Sequence, residues 1–140
     1  MKQHTIPRII TKLIVPFILL FGLYVQFHGE ISAGGGFQAG VIFASGFILY
    51  NVIFGINVGE KILPIGLTIS IMAFGIFLYI FVGLLGILMG GNYLDYNLLG
   101  ESKVQGQIIG IFLVELGVGI TVSSVMILIY YSFNKFEDNK

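Results

Sequence analysis

Four long apolar runs, each separated from the next by a short polar or glycine-rich stretch, set the pattern of this chain. A run of roughly 20 apolar residues is enough to cross a hydrocarbon core. The pattern therefore predicts an all-α integral membrane protein, a bundle of four transmembrane helices over about residues 9–27, 38–56, 63–88 and 107–132. The breaks are the Gly34–Gly36 turn, the polar stretch Asn57–Lys61, and a longer segment from Gly90 to Gly106. That last segment carries Asp95, Glu101 and Lys103, with Tyr93 and Tyr96 as interfacial anchors. Pro16 falls early in the first run, where it bends a helix modestly rather than breaking it.

Composition agrees with this pattern. The chain of 140 residues is 56% hydrophobic and only 10% charged, and its mean hydropathy is +0.98. Soluble chains carry roughly 25% charged residues, so there is too little polar surface here to cover a globule. A net charge of zero argues against nucleic acid as a partner. Zero cysteines remove disulfides, thiolate metal sites and cysteine nucleophiles together. With two histidines, both near membrane surfaces, no haem or zinc pattern exists, and neither a cofactor nor a metal is expected.

Four spans put both termini and the Asn57–Lys61 stretch on one side of the membrane. That side holds Lys2, Arg8, Lys12, Lys61, Lys135 and Lys140, against Lys103 alone on the other. By the positive-inside rule both termini are cytoplasmic, and the Gly-rich turn and the Gly90–Gly106 segment face outward. A cleaved signal peptide over residues 1–33 is the competing reading. Its apolar region would exceed the usual 7–15 residues, and Ile31-Ser32-Ala33 is a poor small-x-small cleavage site. The whole chain, 1–140, then reads as a single membrane domain.

Small residues recur along the spans. Gly40/Ala44, Gly86/Gly90 and Gly119/Ser123 are small-xxx-small pairs, and Gly75 and Gly83 smooth the third span. Apolar surface gains nothing by leaving lipid tails for other tails, so membrane helices associate by close backbone approach. These positions predict tight helix contacts, within the chain or with neighbouring subunits. The segment HGEISAGGGFQAG, His28 to Gly40, joins the first two spans. Glycine takes positive φ and admits close backbone approach, so Gly34, Gly35 and Gly36 can reverse the chain and start the next helix with little bulk.

Glu115 is the one carboxylate deep inside a span. It lies about 12 Å from the start of its span at 1.5 Å per residue, near the bilayer middle. An acid there costs about 2.5–3.5 kcal/mol and should face protein or water, protonated unless partnered. Such a group can pass protons or coordinate Na⁺; the plainer role is a protonated Glu that locks packing. Nothing polar on its own helix pairs with it, since Thr121, Ser123 and Ser124 lie off its stripe, so the partner must come from another helix or another protein of the assembly. His28 and Glu30 could form a surface proton relay at the outer end of the first span. Gln38 and Asn51 can hydrogen-bond across helices, and Phe37 is placed as an interface anchor. Enzyme templates fail: GGNYLDYN lacks the Lys and Ser/Thr of a phosphate loop, and no Ser/His/Asp arrangement is credible.

The segment PFILLFGLYVQFHGEISAGGGFQAGVIFASGFIL, Pro16 to Leu49, resembles the signature of the MnhB or MrpB family, one of the small subunits of multisubunit Na⁺/H⁺ antiporters of the Mrp or Mnh type. That pattern is a Pro-containing apolar helix, a His-Gly pair, and Pro-Gly-Gly-Gly-Phe-Gln-x-Gly opening the next helix. IIGIFLVELGVGITVSSVMILIYYSF, Ile108 to Phe133, is similar to the family's last helix. Ala33 stands where the pattern has proline, which loosens the turn, and Glu30 replaces a residue that is often histidine. The resemblance implies a small multi-pass subunit in a bacterial or archaeal cell membrane, an inner membrane where there are two. Its partners would be the other antiporter subunits, the lipid bilayer, and Na⁺ and H⁺ as transported ions. Glu115 would line an ion path, and the turn residues Gly34, Gly35, Gly36, Phe37, Gln38 and Gly40 would serve assembly. An equivalent subunit of a membrane-bound energy-converting hydrogenase, a purely structural subunit and a small stand-alone channel are the alternatives.

Overall fold

The computed structural model describes residues 5–29 and 34–138. Helix α1 (Thr5–Phe27) runs through Pro16, which lacks the N–H that would bond the carbonyl one turn earlier. Next come α2 (Gly36–Phe54), the short α3 (Ile56–Ile62) and α4 (Ile65–Leu88). A single 3₁₀ turn (Tyr96–Leu98) precedes the last helix, α5 (Lys103–Asp138). Four of these helices are long and apolar enough to cross a membrane, as expected.

The boundaries differ from the hydropathy pattern in instructive ways. The second span stops at Phe54 instead of continuing to residue 56, because Gly55 takes φ 94°, ψ 148° and caps the helix through its N–H to the Asn51 carbonyl. The polar stretch Asn57–Lys61 is helical, forming most of α3. The last helix starts at Lys103, before the apolar run begins: hydropathy marks the length that tolerates lipid, while the backbone ladder continues into polar residues.

The bundle is packed in the inverse sense to a soluble one. Ile6, Leu13, Phe17, Phe74, Phe77 and Leu88 are among many large apolar side chains that face outward. Most buried positions are instead small or polar, among them Thr11, Gly22, Gly36, Gly40, Ala44, Gly75, Gly117, Gly119 and Ser124, with Val82, Ile127 and Tyr131 the larger exceptions. Lipid solvates the large side chains, and the helices meet through small ones.

These contacts define the topology. Gly22 of α1 meets Ile42 and Phe43, and Gly46 meets Ile18 and Leu19, so α1 and α2 form an antiparallel hairpin. Gly36 meets Glu115 and Gly40 meets Gly119 and Val122, so α2 and α5 run parallel. Gly75 meets Gly117 and Thr121, which sets α4 antiparallel to α5. The pair Gly86/Gly90 is not a helix–helix face. Gly86 packs on the Asn92–Asp95 segment, and Gly90, at φ 87°, ends α4 with open space around it. Tyr93 and Tyr96 fill notches rather than simply marking an interface, Tyr93 against Gly83 and Tyr96 against Gly106 and Gly110.

The end of the bundle that bears the chain's described ends is clasped by α3. Tyr131 Oη donates to the Leu63 carbonyl at 3.0 Å, and Lys135 Nζ stands 3.6 Å from Glu60 Oε1. Tyr131 also closes a cluster with Ala44 and Ile127, ringed by Phe47, Ile56 and Leu63. Arg8 and Lys12 both lie over the Phe54 ring, at 5.8 and 5.7 Å from its centre. Asn51 bonds within α2, its Nδ2 donating to the Phe47 carbonyl, and also reaches neighbouring helices, its amide pressing on Gly59 of α3 and its side chain interacting with Tyr131 of α5.

Gly55 has nothing around it that a methyl group would strike, so any penalty there is conformational. Gly55→Ala should destabilise the fold by about 1–3 kcal/mol, the cost of a non-glycine residue in that backbone region. Gly66→Ala, also in open space but in helical conformation, should be neutral or gain up to about 1 kcal/mol. Thermal unfolding in detergent, followed by circular dichroism, separates the two; equal midpoints would refute the backbone argument.

Candidate functional site: the Glu115 carboxyl at the α1–α2 turn

Glu115 sits where α5 passes the turn between α1 and α2. A methyl group on Gly29 would stand 2.7 Å from Glu115 Oε2, and one on Gly35 would stand 3.1 Å from Oε1. On Gly36 it would overlap the Glu115 carbonyl oxygen. Two glycines thus enclose the carboxyl group and a third lets α2 begin directly against the backbone of α5. The helix that the Gly-rich turn starts is part of the wall of the site.

The turn also orients electrostatics. Gly35 is the N-cap of α2 at φ 146°, in a backbone region that favours glycine, and has no side chain to cap the first amides. The first N–H groups of a helix and the positive end of its dipole attract an acceptor or a negative charge. Glu115 brings its carboxyl from α5 to that end. The start of α2 is therefore the part of another helix that Glu115 approaches, and it presents backbone there rather than side chains.

Depth depends on which helix is used as the ruler. Opposite α4, Glu115 lies near the middle, because Gly117 packs on Gly75 and Tyr79. Relative to α1 and α2 it lies at their turn, and Lys135 at the far end of α5 is about 30 Å away at 1.5 Å per residue. The hairpin of α1 and α2 is shorter at this end than the pair α4 and α5. The acid is thus level with the middle of α4 and with the turn that joins α1 to α2.

One buried neighbour is not conspicuous in the sequence. Gln26, only 5% exposed, places Oε1 2.5 Å from where a methyl group on Gly119 would lie, and its Nε2 has no hydrogen-bond partner among the described residues. Gln26 lies on the face of α1 that also carries Gly22, one turn earlier, and that spacing was the available signal. Gly29, outside every sequence-based selection of site residues, is the other omission.

Other selected residues are placed differently. The His28 ring stacks on Tyr24 at 4.2 Å between centres, and its Nδ1–H donates to the Tyr24 carbonyl at 3.1 Å. Glu30 and Ala33 lie outside the described residues, as do Lys2 and Lys140, so the pairing of His28 with Glu30 does too. Phe37 is 63% exposed and Gln38 is also exposed, both pointing away from Glu115's side of α2. Gly35, Gly36 and Gly40 make their close contacts inside the chain, with Gly34 against Val25 of α1. Among the described residues no group of three His, Asp or Glu side chains converges on a metal-sized site.

A bundle of four long apolar helices around one in-span carboxylate defines a multi-pass membrane protein, and its relatives are bacterial. Residues 6–128 match the family model described as a domain related to the MnhB subunit of Na⁺/H⁺ antiporter. A Na⁺/H⁺ antiporter protein of Alkalihalophilus pseudofirmus, the B-type subunit, is 33% identical over 129 residues, covering 85% of this chain and 86% of that one. The chain is 34% identical over 137 residues to the protein named as antiporter subunit mnhB2 in Staphylococcus haemolyticus, covering 92% and 94% of the two chains. The mnhB2 protein of Staphylococcus aureus strain Newman is 33% identical over 138 residues, covering 96% and 97%. The chain belongs to the MnhB family.

The contact at Gly36 separates steric from conformational effects, because Gly36 is helical and a methyl group there meets backbone. Gly36→Ala should cost about 2–3 kcal/mol or prevent folding, as overpacking against an immobile group does. Gly34→Ala meets Val25 at 3.2–3.3 Å and the Gly29 Cα at an ordinary 3.8 Å, and should cost less than about 1 kcal/mol. Midpoints of thermal unfolding compare them, and equal midpoints would mean that the α2–α5 contact is looser than described.

Proposed function

We propose that this chain is a small membrane subunit of a multisubunit Na⁺/H⁺ antiporter, and that Glu115 forms part of its ion path. The observation that carries the ion-path reading is the Glu115 carboxyl held between Gly29 and Gly35 at the open amide end of α2. A carboxyl group in that setting can take up and release a proton or exchange it for Na⁺, whereas a group serving only to pack needs no uncapped helix end beside it. The names borne by its relatives favour an antiporter over a hydrogenase assembly.

The chain acts as one membrane unit over residues 1–140, in lipid, beside larger subunits, with transport rather than catalysis as its work. Both termini are cytoplasmic in this reading, supported by the grouping of Arg8, Lys12, Lys61 and Lys135 at one end of the bundle. The turn around Glu115 then faces the exterior, from which protons enter during exchange for internal Na⁺.

A purely structural subunit is the second reading, favoured by the tight glycine contacts of α2 on α5. Glu115→Gln distinguishes the two, since it keeps the shape and removes the titrating group. Exchange in membrane vesicles should fall about tenfold or more, a barrier change of about 1.4 kcal/mol, with the complex recovered intact on purification. Normal exchange in the intact variant would leave Glu115 a packing residue.

A further inference from the structure

The recessed turn leaves space beside the first turns of α5. From Glu115 back to Lys103, α5 runs on for about 18 Å at 1.5 Å per residue, while α1 ends at Phe27. The step forms a groove of about 510 Å³ lined by Gly29, Asn97, Lys103, Gln107, Ile108 and Ile111. At about 30 Å³ per molecule it has room for on the order of fifteen waters.

The groove leads to the carboxyl group. Ile111 and Ile108 stand one and two turns before Glu115 on the same face of α5. Gly29 belongs both to the groove wall and to the enclosure of Glu115 Oε2. The polar lining is held in place by its own hydrogen bonds. Asn97 Nδ2 donates to Asp95 Oδ1 at 2.9 Å, and Gln107 Nε2 donates to Asn97 Oδ1 at 3.1 Å. That relay fixes the Gln107 amide and leaves its Oε1 to accept from water.

Among the described residues of the lining, Lys103 is the charged one. Asp95 is engaged by Asn97, Glu101 lies in a separate hollow with Leu98 and Gln105, and His28 is turned back onto Tyr24. A fixed ammonium group repels an approaching metal cation, by about 1 kcal/mol at 4 Å in bulk water and more where water is sparse. A proton carried along water has the same positive charge and meets the same repulsion.

We propose that this groove is the proton access path to Glu115, opening at the end of the bundle opposite the chain termini. The proposal rests on the ion-path reading of Glu115. The groove fills with water, and Gln107 orders that water.

The absence of cysteine from the chain makes the test direct. Ile111→Cys in the assembled complex is exposed, in vesicles of each orientation, to a membrane-impermeant methanethiosulfonate, with the unsubstituted complex as control. The expected result is labelling only from the face opposite the termini, with exchange falling about tenfold on modification. Leu84→Cys, on the outward face of α4, should stay unlabelled. Absence of labelling at Ile111→Cys from either face, or full labelling with unchanged exchange, would overturn the proposal. Val104→Cys, 69% exposed at the mouth, carries the same test if Ile111→Cys disturbs assembly. Loss of exchange in Glu115→Gln together with an unreachable Ile111→Cys removes the groove alone. Normal exchange in Glu115→Gln removes both.

Discussion

The approach of the first turn of α2 to the backbone of α5 is the constraint on which the rest depends. Gly36 lies so close to the Glu115 carbonyl, and Gly40 to that of Gly119, that even a methyl group has no room. In water such a contact would be a modest part of a large apolar core. In lipid there is little hydrophobic drive between helices, and close van der Waals approach becomes a principal attraction. Once α2 is seated in that register, the turn before it must lie at Glu115, and α1 follows as the antiparallel partner of α2.

The same seating explains why the molecule has two unlike ends. At one end, α3 folds back so that Tyr131 and Lys135 of α5 meet Leu63 and Glu60, and Arg8 and Lys12 cover Phe54. At the other end α1 and α2 stop short, and α4, the Tyr93–Leu98 segment and α5 continue, with tyrosines filling glycine notches between them. A carboxyl group level with the recessed turn can be both within the bundle and beside water-accessible space.

Much of this was legible from residue order alone. Four apolar runs announce four crossing helices, because lipid demands long segments whose backbone is internally bonded. Glu115 stands out because an acid in an apolar run is costly. Gly34, Gly35 and Gly36 announce a turn because only glycine serves where positive φ and close approach coincide. The helix ends were less legible: a hydropathy pattern does not register that Gly55 leaves the helical region, or that Lys103 and Gln105 extend α5 beyond the apolar run. Gln26 and Gly29 were missed for another reason. Their importance comes from which residues of α5 they face, and Glu115 and Gly119 are far away along the chain.

Sequence by itself determined that this is a four-span membrane protein with a glycine-rich reversal and a single in-span carboxylate, since these follow from local chemistry and from what lipid tolerates. Only the tertiary structure decided that the reversal and the carboxylate are the same place. That meeting depends on the register of α2 against α5, and register is set by where small residues on two distant segments let backbones touch. Each segment read separately carries the glycines but not the residue each of them will face.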